Sequence, residues 1–148
     1  GVVGDDKVQD AEIESATRKA EIHYEILDFK DGYDTLLGER GINLSGGQKQ
    51  RITIARALIR DVEFLIMDDC LSAIDQATEQ KIIQNIKAYL KGKTGIVVSH
   101  RIRGVSFADN IIVLEKGKIV ESGNHKELLA LDGEYAELNK KQEQTDLS

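Results

Sequence analysis

The most regular apolar pattern in the chain runs from Ile52 through Ala55 to Leu58 and Ile59, directly behind the polar stretch Leu44-Ser45-Gly46-Gly47-Gln48-Lys49-Gln50-Arg51. That spacing lays one apolar stripe along a helix, and Ser45 is well suited to cap it, because its hydroxyl can accept from a first-turn N–H. Upstream, Val8, Ala11, Ile13, Ala16, Ala20 and Ile22 predict an amphipathic helix over 8–22. A second short helix or turn is expected over 23–29, with His23 a partly exposed residue at its end. Residues 31–34 read as a turn, 35–41 as a glycine-punctuated loop, and 1–7 as a loop.

Downstream the pattern changes period. Phe64-Leu65-Ile66-Met67 is an unbroken apolar run ended by Asp68-Asp69, which predicts a strand buried on both faces. A loop over 72–75 leads to a helix over 76–90 with Ala77, Ile82, Ile83 and Ile86 inward. Residues 94–99 read as a second buried strand, followed by His100. Ile111 to Leu114 and Ile119 to Glu121, separated by a Lys-Gly turn, predict an antiparallel hairpin. Asn124 should cap a helix over 125–130, a last helix runs from Glu134 to about Lys141, and 142–148 is a polar, fraying tail. Strands alternating with helices indicate an α/β fold whose mostly parallel sheet carries an antiparallel edge.

At 148 residues the chain is one domain's worth, and its 31% charged residues give a net charge of −6. That balance offers no general attraction to nucleic acid. No apolar run approaches bilayer length, and the single Cys70 fits a reducing setting, more as a small filler than as a nucleophile.

Three places carry candidate chemistry. The adjacent glycines 46 and 47 lack a Cβ, so the backbone there can approach a bound group, and the helix N-terminus behind them suits a phosphate. Asp68 and Asp69 end a strand, where α/β folds bind ligands; one carboxylate could hold Mg²⁺ through water and the other position or deprotonate a water. His100 follows the next strand, so its imidazole should emerge at the same edge and could contact a terminal phosphate. Asp75 can cap the following helix, serve a contact surface, or both. His125 reads only as a first-turn helix residue.

Leu44-Ser45-Gly46-Gly47-Gln48 is identical to the signature of ATP-binding-cassette (ABC) proteins, and the chain resembles the C-terminal two-thirds or so of an exporter-type nucleotide-binding domain. The resemblance makes Phe64 to Asp68 the Walker B strand, Ser72 to Asp75 the D-loop and His100 the switch histidine. It makes Asp69 and His100 catalytic, Asp68 a Mg²⁺ residue, and Leu44 to Gln48 with Asp75 nucleotide-binding. The implied fold is part of the three-layer P-loop NTPase fold plus the helical signature subdomain. That divides the chain into 1–61 (signature subdomain), 62–141 (part of the ATPase core) and the tail 142–148. The implied cofactors are ATP and Mg²⁺, at the cytoplasmic face of the plasma membrane. The implied partners are a second nucleotide-binding domain, on a different chain, and membrane domains touched through Thr35–Gly41, with no nucleic acid. In such a pair each signature contacts the γ-phosphate of ATP held by the opposite chain.

Two departures stand out. No Gly-x-x-x-x-Gly-Lys-[Ser/Thr] phosphate loop occurs in these residues. The resemblance places it before Gly1, so this chain is expected to be a fragment. Position 69 is Asp where the family's catalytic residue is Glu, one methylene longer, which resembles the degenerate-site half of a heterodimeric multidrug exporter. A different class is a non-catalytic module whose ATP-gated dimerisation regulates its partner, and a third is a soluble cassette ATPase of repair or translation. The parent protein is expected to be an ATP hydrolase of translocase type and the isolated chain inactive. Calorimetric titration of the 148-residue chain with Mg-ATP should therefore give no dissociation constant tighter than about 1 mM; a micromolar value would contradict the expectation.

Overall fold

The computed structural model describes residues 8–38 and 42–146, which form two compact units, Gly1–Ile96 and Val97–Ser148. The expected loop over 1–7 lies outside the described residues, as do positions 39–41.

In the first unit, α1 (Asp10–Lys19) and α3 (Gly46–Leu58) pack against each other, with Ala16 of α1 and Ile54, Ala55 and Leu58 of α3 buried. The short α2 (His23–Leu27) leads to a single 3₁₀ turn at Gly32–Asp34. His23, which the sequence places as a partly exposed residue at a helix end, is instead buried at 5% exposure. Its Nδ1 shares a hydrogen bond with the Tyr33 hydroxyl at 2.8 Å, which in turn lies 2.5 Å from Thr17 Oγ1 on α1. A polar residue buried there is tolerated because it has a partner, and that partner, Tyr33, stands 10 residues away in sequence.

β1 (Phe64–Asp68) pairs with β2 (Thr94–Val98). Neither strand is buried on both faces. Along β1 burial alternates strictly: Leu65 and Met67 are inside, while Phe64 and Ile66 are 50% and 63% exposed. On β2 Ile96 is likewise open. An unbroken apolar run says that both faces can be buried, not that both are covered, and among the described residues only one is. α4 (Gln76–Tyr89) buries Ile82 and Ile86 completely, but Ala77 faces solvent and the inward position of its first turns is taken by Glu79. α4 is tied back to α1 by Asn85 Nδ2 donating to the Lys19 carbonyl at 2.9 Å.

The second unit is built on the hairpin of β3 (Ile111–Glu115) and β4 (Lys118–Gly123), antiparallel as the turn chemistry requires. Lys116 and Gly117 both have positive φ, the backbone of a type I′ turn, whose twist matches the strands it joins. α6 (His125–Ala130) starts in an Asn124 capping box. α7 (Glu134–Asp146) begins where the Glu121 carboxylate accepts from the N–H groups of Glu134 and Tyr135 at 2.7 and 3.1 Å. Ile102, Ile111, Leu128 and Tyr135 form the core of this unit. Two features depart from the sequence reading. A short helix, α5 (Ile102–Val105), follows His100, and residues 142–146 continue α7 rather than fray. Gln142 gives the reason: its side chain accepts from Ile102 N–H and donates to the His100 carbonyl.

The open apolar face of β1 should drive self-association, since exposed strands with apolar side chains recruit other chains. Light scattering of the chain should show a mass that rises with concentration above the 16.4 kDa monomer, and Ile66→Lys should suppress the rise. A wild-type monomer at every concentration would refute this.

Candidate functional site

Ser45 caps α3 as its sequence predicts. Its Oγ accepts from the Gln48 N–H at 3.2 Å, while Gln48 Oε1 accepts from the Ser45 N–H at 2.9 Å, so a capping box closes the first turn. Helix geometry leaves the N–H groups of Gly46 and Gly47 without partners inside the helix. Ser45 and Gly46 are exposed, so this end of α3 faces solvent with the positive end of its dipole.

The glycines, however, make room first for the chain itself. A Cβ on Gly47 would lie 2.8 Å from the carbonyl oxygen of Ala73, and one on Gly46 would lie 3.3 Å from the Ala73 Cβ. The first turn of α3 is therefore seated on the loop that follows β1. This is a use of the paired glycines that their spacing in sequence does not reveal.

That loop holds the acidic pair. Asp68 ends β1 exposed, and Asp69 follows it half-buried with φ +45°, a left-handed conformation that Asp adopts more readily than most side chains. Gln50 reaches across from α3. Its Nε2 donates to the Asp69 carbonyl at 3.3 Å and to Ser72 Oγ at 2.9 Å, and its Oε1 accepts from the Ala73 N–H at 2.8 Å. Asp75 closes the loop by accepting from the Thr78 N–H at 3.0 Å, and these bonds hold its carboxyl below the usual range. Cys70 is half-buried; burial, then the charges of Asp69 and Asp68, push its thiol up, so it is no activated nucleophile.

On the other side of α3, Glu25 of α2 bridges two residues of the glycine-rich segment. One oxygen accepts from Gln48 Nε2 at 2.9 Å and the other from the Arg51 guanidinium at 2.5 Å, while Arg51 also donates to the Glu21 carbonyl. Burial pushes the Glu25 carboxyl up, but the hydrogen bonds from Arg51 and Gln48 outweigh it and hold the group below its ordinary value. Gln50, Glu25 and Arg51 are thus parts of the site that sequence reasoning passes over. Apart from the helical bond of Arg51 to the Gly47 carbonyl, the partners named stand 19 to 30 residues away, beyond any local pattern.

Within the first unit the glycine turn of α3 meets the segment 69–73, with Asp68 ending β1 just before that segment and Asp75 capping α4 just after it. His100 belongs to the second unit, where it is exposed and its carbonyl is held by Gln142. Of the loop over 35–41, residues 35–38 are described: Leu36 and Leu37 are 74% and 49% exposed, and Leu37 bridges to Ile42. For Mg²⁺ the carboxylates present are chemically suitable. Mg²⁺ keeps several waters and takes one or two carboxylates plus phosphate oxygens, which suits an exposed carboxylate such as Asp68.

Comparison with known proteins gives a consistent result. Residues 3–72 match the family profile described as ABC transporter. The chain is 48% identical over 128 residues to the multidrug resistance-like ATP-binding protein MdlA of Buchnera aphidicola, covering 86% of this chain and 22% of that protein. It is 46% identical over 130 residues to an ATP-dependent lipid A-core flippase of Chromohalobacter salexigens, covering 88% and 22%. The structure of a bacterial Atm1-family ABC exporter with ATP bound superposes with a TM-score of 0.87 at 40% identity, over 95% of this chain and 25% of that one. The chain thus spans about a fifth of the length of these curated relatives.

Because the Glu25 carboxyl is held low in the folded state, its contribution to stability is present above the ordinary carboxylate pKa and is lost as pH falls through the folded value. The melting temperature of the wild type should therefore drop more between pH 6 and pH 3 than that of Glu25→Gln, by about 1–3 °C for a partly exposed pair in a chain of this size. Parallel acid limbs for the two proteins would refute the assignment.

Proposed function

Starting from a chain that belongs to the ABC transporter family, we propose that it is the ATP-coupling part of a membrane exporter, working as one half of a nucleotide-binding pair. The observation that carries this reading is the first turn of α3, where the N–H groups of Gly46 and Gly47 have no partner inside the helix and Gly46 is exposed, in a turn seated against Ala73 and closed by the Ser45–Gln48 capping box. A helix end held in this way suits an anion brought by another chain. In the pair, Leu44 to Gln48 reach the terminal phosphate of ATP held on the partner. Asp68 holds Mg²⁺ through water at this chain's own site. Asp69 positions the attacking water there, and His100 contacts the terminal phosphate. Asp75 lies on the surface between the two domains. Residues 1–61 act as the signature subdomain and 62–141 as part of the ATPase core.

ATP with Mg²⁺ supplies the phosphoryl chemistry, and the chain's own residues supply orientation and a place for the proton. At position 69 the shorter side chain limits that. A general base must stand within roughly 2.6–3.2 Å of its proton, and about 1 Å of misplacement costs on the order of a hundredfold. Asp69 therefore makes this chain's own site the slower of two, while its intact signature serves the faster site on a different partner chain. The exposed Leu36 and Leu37 suit docking against membrane domains. Among the described residues no helix is long and apolar enough to cross a membrane. In the proposed exporter this domain lies at the cytoplasmic face, against the membrane domains.

In the full-length transporter, Ser45→Arg should lower ATPase activity by on the order of ten- to a hundredfold by displacing the phosphate from the α3 N-terminus. Asp69→Glu should raise turnover at the slow site, read by trapping of labelled nucleotide. If Asp69→Asn reduced activity as severely as Ser45→Arg, the assignment of this chain to the slower site would be wrong.

A further inference from the structure

Gln50 is outside the glycine-rich motif, yet its amide spends every polar atom on the turn after β1. The NH₂ group grips the Asp69 carbonyl and Ser72 Oγ, and the oxygen holds the Ala73 N–H. Ser72 Oγ in turn donates to the same Asp69 carbonyl at 3.1 Å. Two donors thus converge on the carbonyl of a residue whose φ of +45° lies in the left-handed region that favours glycine and that Asp adopts more readily than most residues. The neighbouring contact works in the same direction, because the Ala73 carbonyl fills the space where Gly47 lacks a Cβ. The first turns of α3 and the segment from Asp69 to Ala73 are consequently one mechanical piece, joined by three hydrogen bonds and a backbone contact.

We propose that Gln50 is a positioning residue that couples the glycine-rich end of α3 to the acidic turn, so that phosphate engagement at the first sets the placement of Asp69 and Ser72 at the second. The proposal rests on the reading that Ser45 to Gln48 serve ATP on the opposite chain. It adds a route by which that event is felt at this chain's own carboxylates. Gln50 touches no reacting atom. It acts by fixing the turn's backbone, and the amide is needed for its two polarities: a donor toward Asp69 and Ser72, an acceptor toward Ala73. A carboxylate of the same shape keeps the acceptor but sets oxygen against the Asp69 carbonyl. A methionine fills the space and makes none of the bonds.

The test uses the full-length transporter with Gln50→Met and Gln50→Glu, and Ser45→Arg as the control for the underlying reading. Hydrogen exchange across residues 69–75 should accelerate by about tenfold in Gln50→Met, the equivalent of one lost hydrogen bond, while exchange in the cores of α3 and α4 stays at the wild-type rate. ATPase kcat should fall by on the order of tenfold in both Gln50 variants with KM for ATP within about twofold, since misplacement affects the closed geometry more than ground-state binding. Should Gln50→Met fail to fold, Gln50→Glu provides both readouts. If Ser45→Arg abolishes activity but both Gln50 variants keep wild-type kcat and exchange, the coupling is refuted and the trans reading stands. If exchange accelerates at 69–75 with kcat unchanged, Gln50 is only structural and the coupling is refuted as well. If Ser45→Arg leaves activity intact, the trans reading fails, and the coupling fails with it.

Discussion

The contact on which the first unit's site depends is the approach of the Gly47 backbone to the carbonyl of Ala73. A Cβ at position 47 would stand 2.8 Å from that oxygen, so nothing but glycine allows α3 to sit where it does. Once α3 is seated, Ser45 and Gln48 close its first turn, Gln50 reaches the Asp69 carbonyl, and Glu25 can span Gln48 and Arg51. A phosphate-binding helix end gains its value from being held rigid, because preorganised donors need no rearrangement when charge arrives. Here rigidity comes from side chains on three different elements rather than from the loop's own sequence.

Glutamine recurs as the connecting residue. In the first unit Gln50 holds the turn after β1; in the second, Gln142 accepts from Ile102 N–H and donates to the His100 carbonyl. Each occupies a helix and uses a donor and an acceptor at once to fix a turn next to a residue with proposed chemistry. An amide suits this because it satisfies opposite backbone polarities without the desolvation cost of a charge. Gln142 also explains why the C-terminal residues remain helical through Asp146 despite a polar composition that reads as a fraying end.

Much of the architecture was legible locally. The period of Ile52, Ala55 and Leu58 marks α3, Ser45, Asp75 and Asn124 cap the helices they were expected to cap, and Lys116-Gly117 makes the hairpin turn. The errors fall where burial is decided by something distant. Phe64 and Ile66 are as apolar as Leu65 and Met67, yet they face outward because cover on that side is absent among the described residues. His23 looks like a helix-end residue and is buried, because Tyr33 and Thr17 supply its company. Ala77, expected inward on α4, is exposed, and Glu79 is buried instead.

The sequence by itself determined the chemical inventory: a five-residue motif at a capped helix start, two carboxylates ending an apolar strand, a histidine after the next one, and Asp rather than Glu at position 69. Residue identity and short-range spacing suffice for these, since caps, turns and periods act over a few residues. Only the tertiary structure decided that the paired glycines admit Ala73, that Gln50 and Glu25 belong to the site, and that one face of β1 stays open. Those outcomes depend on groups 19 or more residues apart meeting within hydrogen-bond or van der Waals distance, and no local pattern encodes which distant group arrives.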